Sequence, residues 1–122
     1  MDADTYNAYC GSLPHSTHVV QWGGAHVWKI GGKMYAVGGW NSDLEAFTVT
    51  FKCSDMSFEI LKEQPGCQPA PYLASRGMKW IQRTSDASLS DEDLKAYIAE
   101  SRRLVGAGLT KKKQRELGLL AN

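Results

Sequence analysis

The sequence predicts a single α+β domain organised round an antiparallel sheet, and three observations carry that expectation. In HVWKIGGKMYAVGG, residues 26–39, two apolar-rich runs flank Gly31-Gly32, a pair that can take the positive φ angles of a two-residue hairpin turn. In residues 47–53, Phe47, Val49, Phe51 and Cys53 alternate with Thr48, Thr50 and Lys52, the period of a sheet with one wet face. After Ser90, the residues Leu94, Tyr97, Ile98, Ser101, Leu104 and Val105 follow the i, i+3, i+4, i+7 spacing of an amphipathic helix. A chain of 122 residues can bury one core without staples.

Each element then has a local reason. Residues 2–12 form an opening helix with Asp2 or Asp4 at its positive end and an apolar stripe of Tyr6, Tyr9, Cys10 and Leu13. Pro14 stops it, residues 15–18 read as a loop, and Val19, Val20 and Trp22 begin an extended segment, a strand or a lead-in to one. Residues 26–30, 33–38 and 47–53 follow as a meander; a two-residue turn at Gly31-Gly32 sets Trp28 across from Tyr35 and Val27 across from Ala36. Ser54 or Asp55 caps a short helix over 56–63, with Phe58 and Leu61 inward, and Pro65-Gly66 ends it. CQPAPYLASR, residues 67–76, reads as an extended Pro-rich loop, with room for a short edge strand at Tyr72-Leu73. Residues 79–84 make another strand, placing Trp80 and Gln82 opposite to Ile81 and Arg83. Ser90 and three acids open the last long helix, Gly106 and Gly108 close it, and Thr110 caps a further turn in TKKKQREL. The division is one domain over 1–109 and a basic tail, with a short helix, over 110–122.

Composition excludes more than it selects. Three cysteines, Cys10, Cys53 and Cys67, match no disulfide or zinc spacing and suggest free thiols in a reducing compartment. The N-terminal residues lack the pattern of a signal peptide, and no apolar run is long enough to span a bilayer, so the expectation is a cytoplasmic protein. Cys10, His15 and His18 cluster without the four-ligand spacing of a zinc module, so no metal or other cofactor is expected. Cys67 has no base that the sequence places beside it, and the glycine pairs form neither a phosphate loop nor a dinucleotide fingerprint. No enzymatic site is read.

Charge is the remaining signal. Net charge is +1, but residues 1–75 hold four Lys against seven acids, and residues 76–122 hold ten Lys and Arg against six. Lys29 and Lys33 bracket the hairpin turn, Arg76, Lys79 and Arg83 flank Trp80, and Lys111, Lys112, Lys113 and Arg115 end the chain. Such cations beside a hairpin can neutralise nucleic-acid phosphates; a solvated helix face and tail give the same count.

Three segments resemble one known family. VWKIGGKMYAV is similar to the hairpin signature of the MmcQ/YjbR-like proteins. PGCQPAPYLASRGMKW resembles their Pro-rich loop and the Trp-containing strand after it, and SDEDLKAYIAESRRLV with KKKQR corresponds to their closing helix and end. Met78-Lys79 stands where the family often has a histidine. The resemblance implies a two-layer α-β(3)-α-β(2)-α fold of the secretion-chaperone-like (CyaY/YjbR-like) kind, a "double wing" proposed to bind DNA, and no enzymatic activity. It carries over onto Lys29, Lys33, Arg76 and Trp80 and less strictly onto Lys111, Lys112 and Lys113; with Lys79, Arg83 and Arg115 from the charge reading these make the expected DNA face, with Trp80 a core buttress or a wedge near the sugar. The alternative is a chaperone-like module that holds a protein or peptide on the sheet or an edge strand.

Overall fold

A computed structural model describes residues 1–120. Helix α1 (Ala3–Ser12) leads into four antiparallel strands, β1 (Ser16–Gln21), β2 (Ala25–Ile30), β3 (Lys33–Asn41) and β4 (Ala46–Lys52). Helix α2 (Asp55–Leu61), β5 (Cys67–Pro69), a 3-10 turn (Ala74–Arg76), β6 (Trp80–Arg83), α3 (Asp91–Ala107) and α4 (Lys111–Glu116) complete the chain. The last residues of the predicted tail, 121 and 122, lie outside the described residues. The six strands form one antiparallel sheet in the order β1-β2-β3-β4-β6-β5.

The caps follow from the sequence. Asp2, Ser54, Ser90 and Thr110 each accept a backbone N–H from the first turn of α1, α2, α3 and α4. Sequence and structure differ in three places. Residues 16–18, expected in a loop, are already strand, because all of β1 pairs with β2 from Ser16↔Ile30 to Gln21↔Ala25. The short edge strand falls at Cys67–Pro69, and Tyr72-Leu73 is a turn. The hairpin turn at Gly31-Gly32 has two residues, yet Trp28 faces Ala36 and Val27 faces Val37. A β-bulge between Trp28 and Lys29 leaves Tyr35 as an extra residue in β3, so Tyr35 and Ala36 are consecutive and both buried.

The long helix is seated beside that bulge. The Ser101 hydroxyl, fully buried on α3, donates to the Tyr35 carbonyl at 2.6 Å and accepts from the Lys52 N–H at 2.9 Å. It stands where the β3–β4 ladder ends at Ala36↔Phe51, satisfying two backbone groups that ladder leaves open. On the same side Tyr6, Trp28, Ile30, Val49, Phe51, Ile81, Leu94 and Ile98 form the core. Tyr6 lies against Gly38 and meets Phe47 edge-on at 5.5 Å, while its hydroxyl donates to the His26 carbonyl. Trp28 Nε1–H donates to Asn7 Oδ1, which turns the Asn7 amide N–H toward His26 Nδ1 and ties α1 to β2. Helices α1 and α3 thus cover one face of the sheet.

Candidate nucleic-acid interface

The opposite face carries a row of paired residues across all six strands: Val19, Val27, Val37, Thr50, Gln82 and Gln68. It grades from three valines to a threonine and two glutamines. Two loops rise beside it, the β1–β2 turn carrying Trp22 and the 70–78 loop carrying Tyr72. Between them lies a groove of about 480 Å³ lined by Trp22, Met34, Val37, Thr50, Tyr72 and Gln82, among others. A shallower, more polar depression continues it past Val37, Thr50 and Gln82 to Trp40 and Asn41.

Both rim aromatics hold a backbone conformation that costs energy. Trp22 has φ +53° and Tyr72 has φ +67°, left-handed values that are outliers for bulky side chains. Around Tyr72 the Leu73 N–H donates to the Pro71 carbonyl at 2.8 Å, an i to i+2 bond that with this φ makes the rare, strained form of γ-turn. Each such residue costs on the order of 1–3 kcal/mol. Neither ring repays it by entering the core, since Trp22 is 66% and Tyr72 85% exposed; Trp40 is 67% exposed.

The predicted cations separate into three groups. Lys29 and Lys33 stay near each other: Lys29 pairs across the hairpin with Met34, and Lys33, Met34 and Lys52 line a recess closed by Trp80 and by Leu104 and Val105 of α3, with Met34 also on the groove. Arg76 stands on the loop that supplies Tyr72 and Leu73 to the groove wall. Among the described residues none of these four cations has an ion-pair partner. The second group is the last helix. Gly31, at φ +59°, leaves room for Leu109, which a Cβ there would meet at 2.6 Å, and Leu117 lies just beyond. Lys111, Lys112 and Arg115 are therefore carried on a helix whose flanks pack on the hairpin turn; Lys113 is tied to Glu116 at 3.7 Å.

The third group corrects the expectation. Arg83 is buried on the helix side of the sheet, as its alternation with Gln82 requires. Its Nε–H and Nη2–H donate to the Leu89 carbonyl at 3.2 and 2.7 Å, and Nη2 reaches Asp91 Oδ1 at 3.0 Å, so it cannot meet a phosphate. The terminal amine of Met1 and the Arg83 guanidinium hold the Asp91 carboxyl below its usual range. Trp80 is likewise buried, its indole N–H without a partner among the described residues, which removes it as a wedge and leaves the buttress. Lys79 lies over the Phe58 ring of α2 at 4.9 Å.

Sequence reasoning missed Lys52, Trp22 and Tyr72. The alternation of Thr48, Thr50 and Lys52 already placed Lys52 on the wet face. Trp22 had a weak signal in the Gly-Gly after it, and Tyr72 had none. The thiols show no activation. Burial pushes Cys10 up to about 12 and Cys53 up to about 11, and burial also raises Cys67, the reverse of what a nucleophile needs. His18 Nε2 lies 3.0 Å from His26 Nδ1 with the rings stacked, and among the described residues no three His, Cys, Asp or Glu gather closely enough to hold a metal. No described helix is long and apolar enough to cross a membrane.

Comparison with known proteins agrees with this architecture. A crystal structure of a Deinococcus radiodurans protein with a DUF419 domain superposes with a TM-score of 0.79 at 27% identity, over 96% of this chain and 88% of that one. A Pseudomonas syringae protein gives 0.68 at 19% identity, over 85% and 98%, a likeness of fold. No curated protein matches the chain. The YjbR family model matches residues 11–104, from the end of α1 into the last turn of α3, and the chain belongs to the YjbR family.

Proposed function

We propose that this protein is a non-enzymatic DNA-binding protein that holds backbone phosphates with Lys29, Lys33 and Arg76, joined by Lys52. The basic helix of Lys111, Lys112 and Arg115 extends the surface round the hairpin corner. The observation that carries this reading is that Lys33 and Lys52 share a recess with Met34, the cross-strand partner of Lys29, all three lysines being unpaired with any carboxylate among the described residues. Unpaired cations lose little on meeting a phosphate, whereas Arg83 would have to leave three hydrogen bonds.

Titration of a fluorescent duplex by anisotropy at two salt concentrations tests it. Neutralising about four phosphates gives a log–log salt slope of roughly −3.6. Lys29→Glu with Arg76→Glu should weaken binding at least about tenfold, each contact being an ionic one. Affinity independent of salt, or unchanged in the double variant, refutes the reading. The second reading has its own observation: β1 is an edge strand with Val19 and Val20 exposed, a surface open to strand addition by a protein or peptide partner. That mode predicts near-indifference to salt.

A further inference from the structure

We propose that the groove between Trp22 and Tyr72 takes unpaired bases, so that the nucleic acid this protein prefers is single-stranded. The inference rests on the phosphate reading above and adds the site where bases are held. Four features converge. The volume, about 480 Å³, suits one or two planar heterocycles and falls within the range of small-ligand clefts. The rims are aromatic rings kept in water by a strained backbone, an arrangement that gains nothing in the free protein and supplies stacking faces to a ligand. The floor offers hydrogen bonds without charge. The Thr50 hydroxyl has no partner among the described residues, and the Gln82 carbonyl oxygen accepts from Gln68 at 2.6 Å, while the Gln82 amide N–H reaches Thr48 at only 3.5 Å. The charges lie next to it: Lys29 is the cross-strand partner of Met34, Lys33 and Lys52 share a recess with Met34, and no carboxylate lines the groove.

A duplex does not use these features, because its bases are stacked inside and would present only sugar and phosphate to the two rings. An extended peptide is served less well, since the floor lies at the sheet centre, where the strand backbone is already paired on both sides.

The test compares an oligothymidylate of about 12 nucleotides with a duplex of the same length, by anisotropy and by quenching of tryptophan fluorescence. Trp22→Gly and Tyr72→Gly are the variants of choice, because glycine accepts positive φ and both should fold at least as well as the parent. The single strand is expected to bind at least about tenfold more tightly than the duplex, and each variant to lose about tenfold on the single strand alone. Equal affinity for the two forms, or variants that hold the single strand like the parent, overturns the groove. Loss of duplex binding in Lys29→Glu then still preserves the phosphate reading. If neither oligonucleotide binds, both readings fall. Quenching by short peptides and not by oligothymidylate assigns the groove to a peptide and overturns the proposal.

Discussion

Replacing Arg83 by methionine separates a structural strut from a ligand contact. The side chain is 3% exposed and makes two hydrogen bonds to the Leu89 carbonyl and one to Asp91. Hydrogen bonds to a charged group contribute about 1.5–3 kcal/mol, and the orphaned Leu89 carbonyl adds its own desolvation. Asp91 is 46% exposed, so its share is discounted to about 0.5–1 kcal/mol. The variant should therefore lose at least about 2–4 kcal/mol before that desolvation is counted, a fall of at least roughly 1–2 M in the urea midpoint. The Asp91 part is pH-dependent. Its carboxyl is held low in the folded state, so that stabilisation is full above the unfolded carboxylate value near 3.9 and disappears as pH falls through the folded value. The gap between Arg83→Met and the parent should narrow as pH falls below the unfolded carboxylate value of about 3.9, leaving the Leu89 part. Duplex affinity, measured where both are folded, should be unchanged. A variant with the parent's urea midpoint and a large loss of affinity would falsify the reasoning and return Arg83 to the ligand surface.

Three further outcomes follow from burial. Trp80→Phe removes a buried indole N–H that has no partner among the described residues, so lost volume and relieved desolvation offset each other and stability should stay within about 1 kcal/mol; a loss above about 3 would reveal a hidden hydrogen bond. Gly38→Ala places a Cβ 2.5 Å from Tyr6 Cε2 and 2.8 Å from Phe47 Cζ, and should cost at least about 1–3 kcal/mol in urea unfolding; no cost would mean the Tyr6 ring is not seated there. With iodoacetamide near pH 8, Cys67 should label first and slowly, and Cys10 and Cys53 only after unfolding, their thiols standing near 12 and 11. Rapid labelling of Cys67 below pH 7 would reopen a catalytic role.

Local signals were legible where one short stretch holds the whole cause. Gly31-Gly32 announced the turn, Ser90 with Asp91, Glu92 and Asp93 announced α3, and alternation from Phe47 announced β4. The register beyond the turn was not legible, because nothing in KMYAV marks Tyr35 as an extra residue. The groove was hidden for another reason. Its floor joins Thr50 to Gln82 through the β4–β6 pairing, with α2 and β5 between them in the chain. Arg83 is the instructive case: alternation already put it on the side of Ile81, and that side is the core. A cation's strand parity deserves more weight than its nearness to other cations.

The hydroxyl between Lys52 and Tyr35 constrains how such a chain can change over generations. One oxygen must give a proton upward to a carbonyl and receive one from an amide, a double duty that serine and threonine can perform and alanine, valine or cysteine cannot perform well. The β3–β4 ladder stops beside the extra residue of β3, and the helix supplies the hydroxyl that takes up both open groups. Lineages that drop the hydroxyl should shed the additional strand residue as well, and the two should come and go together in any alignment of descendants.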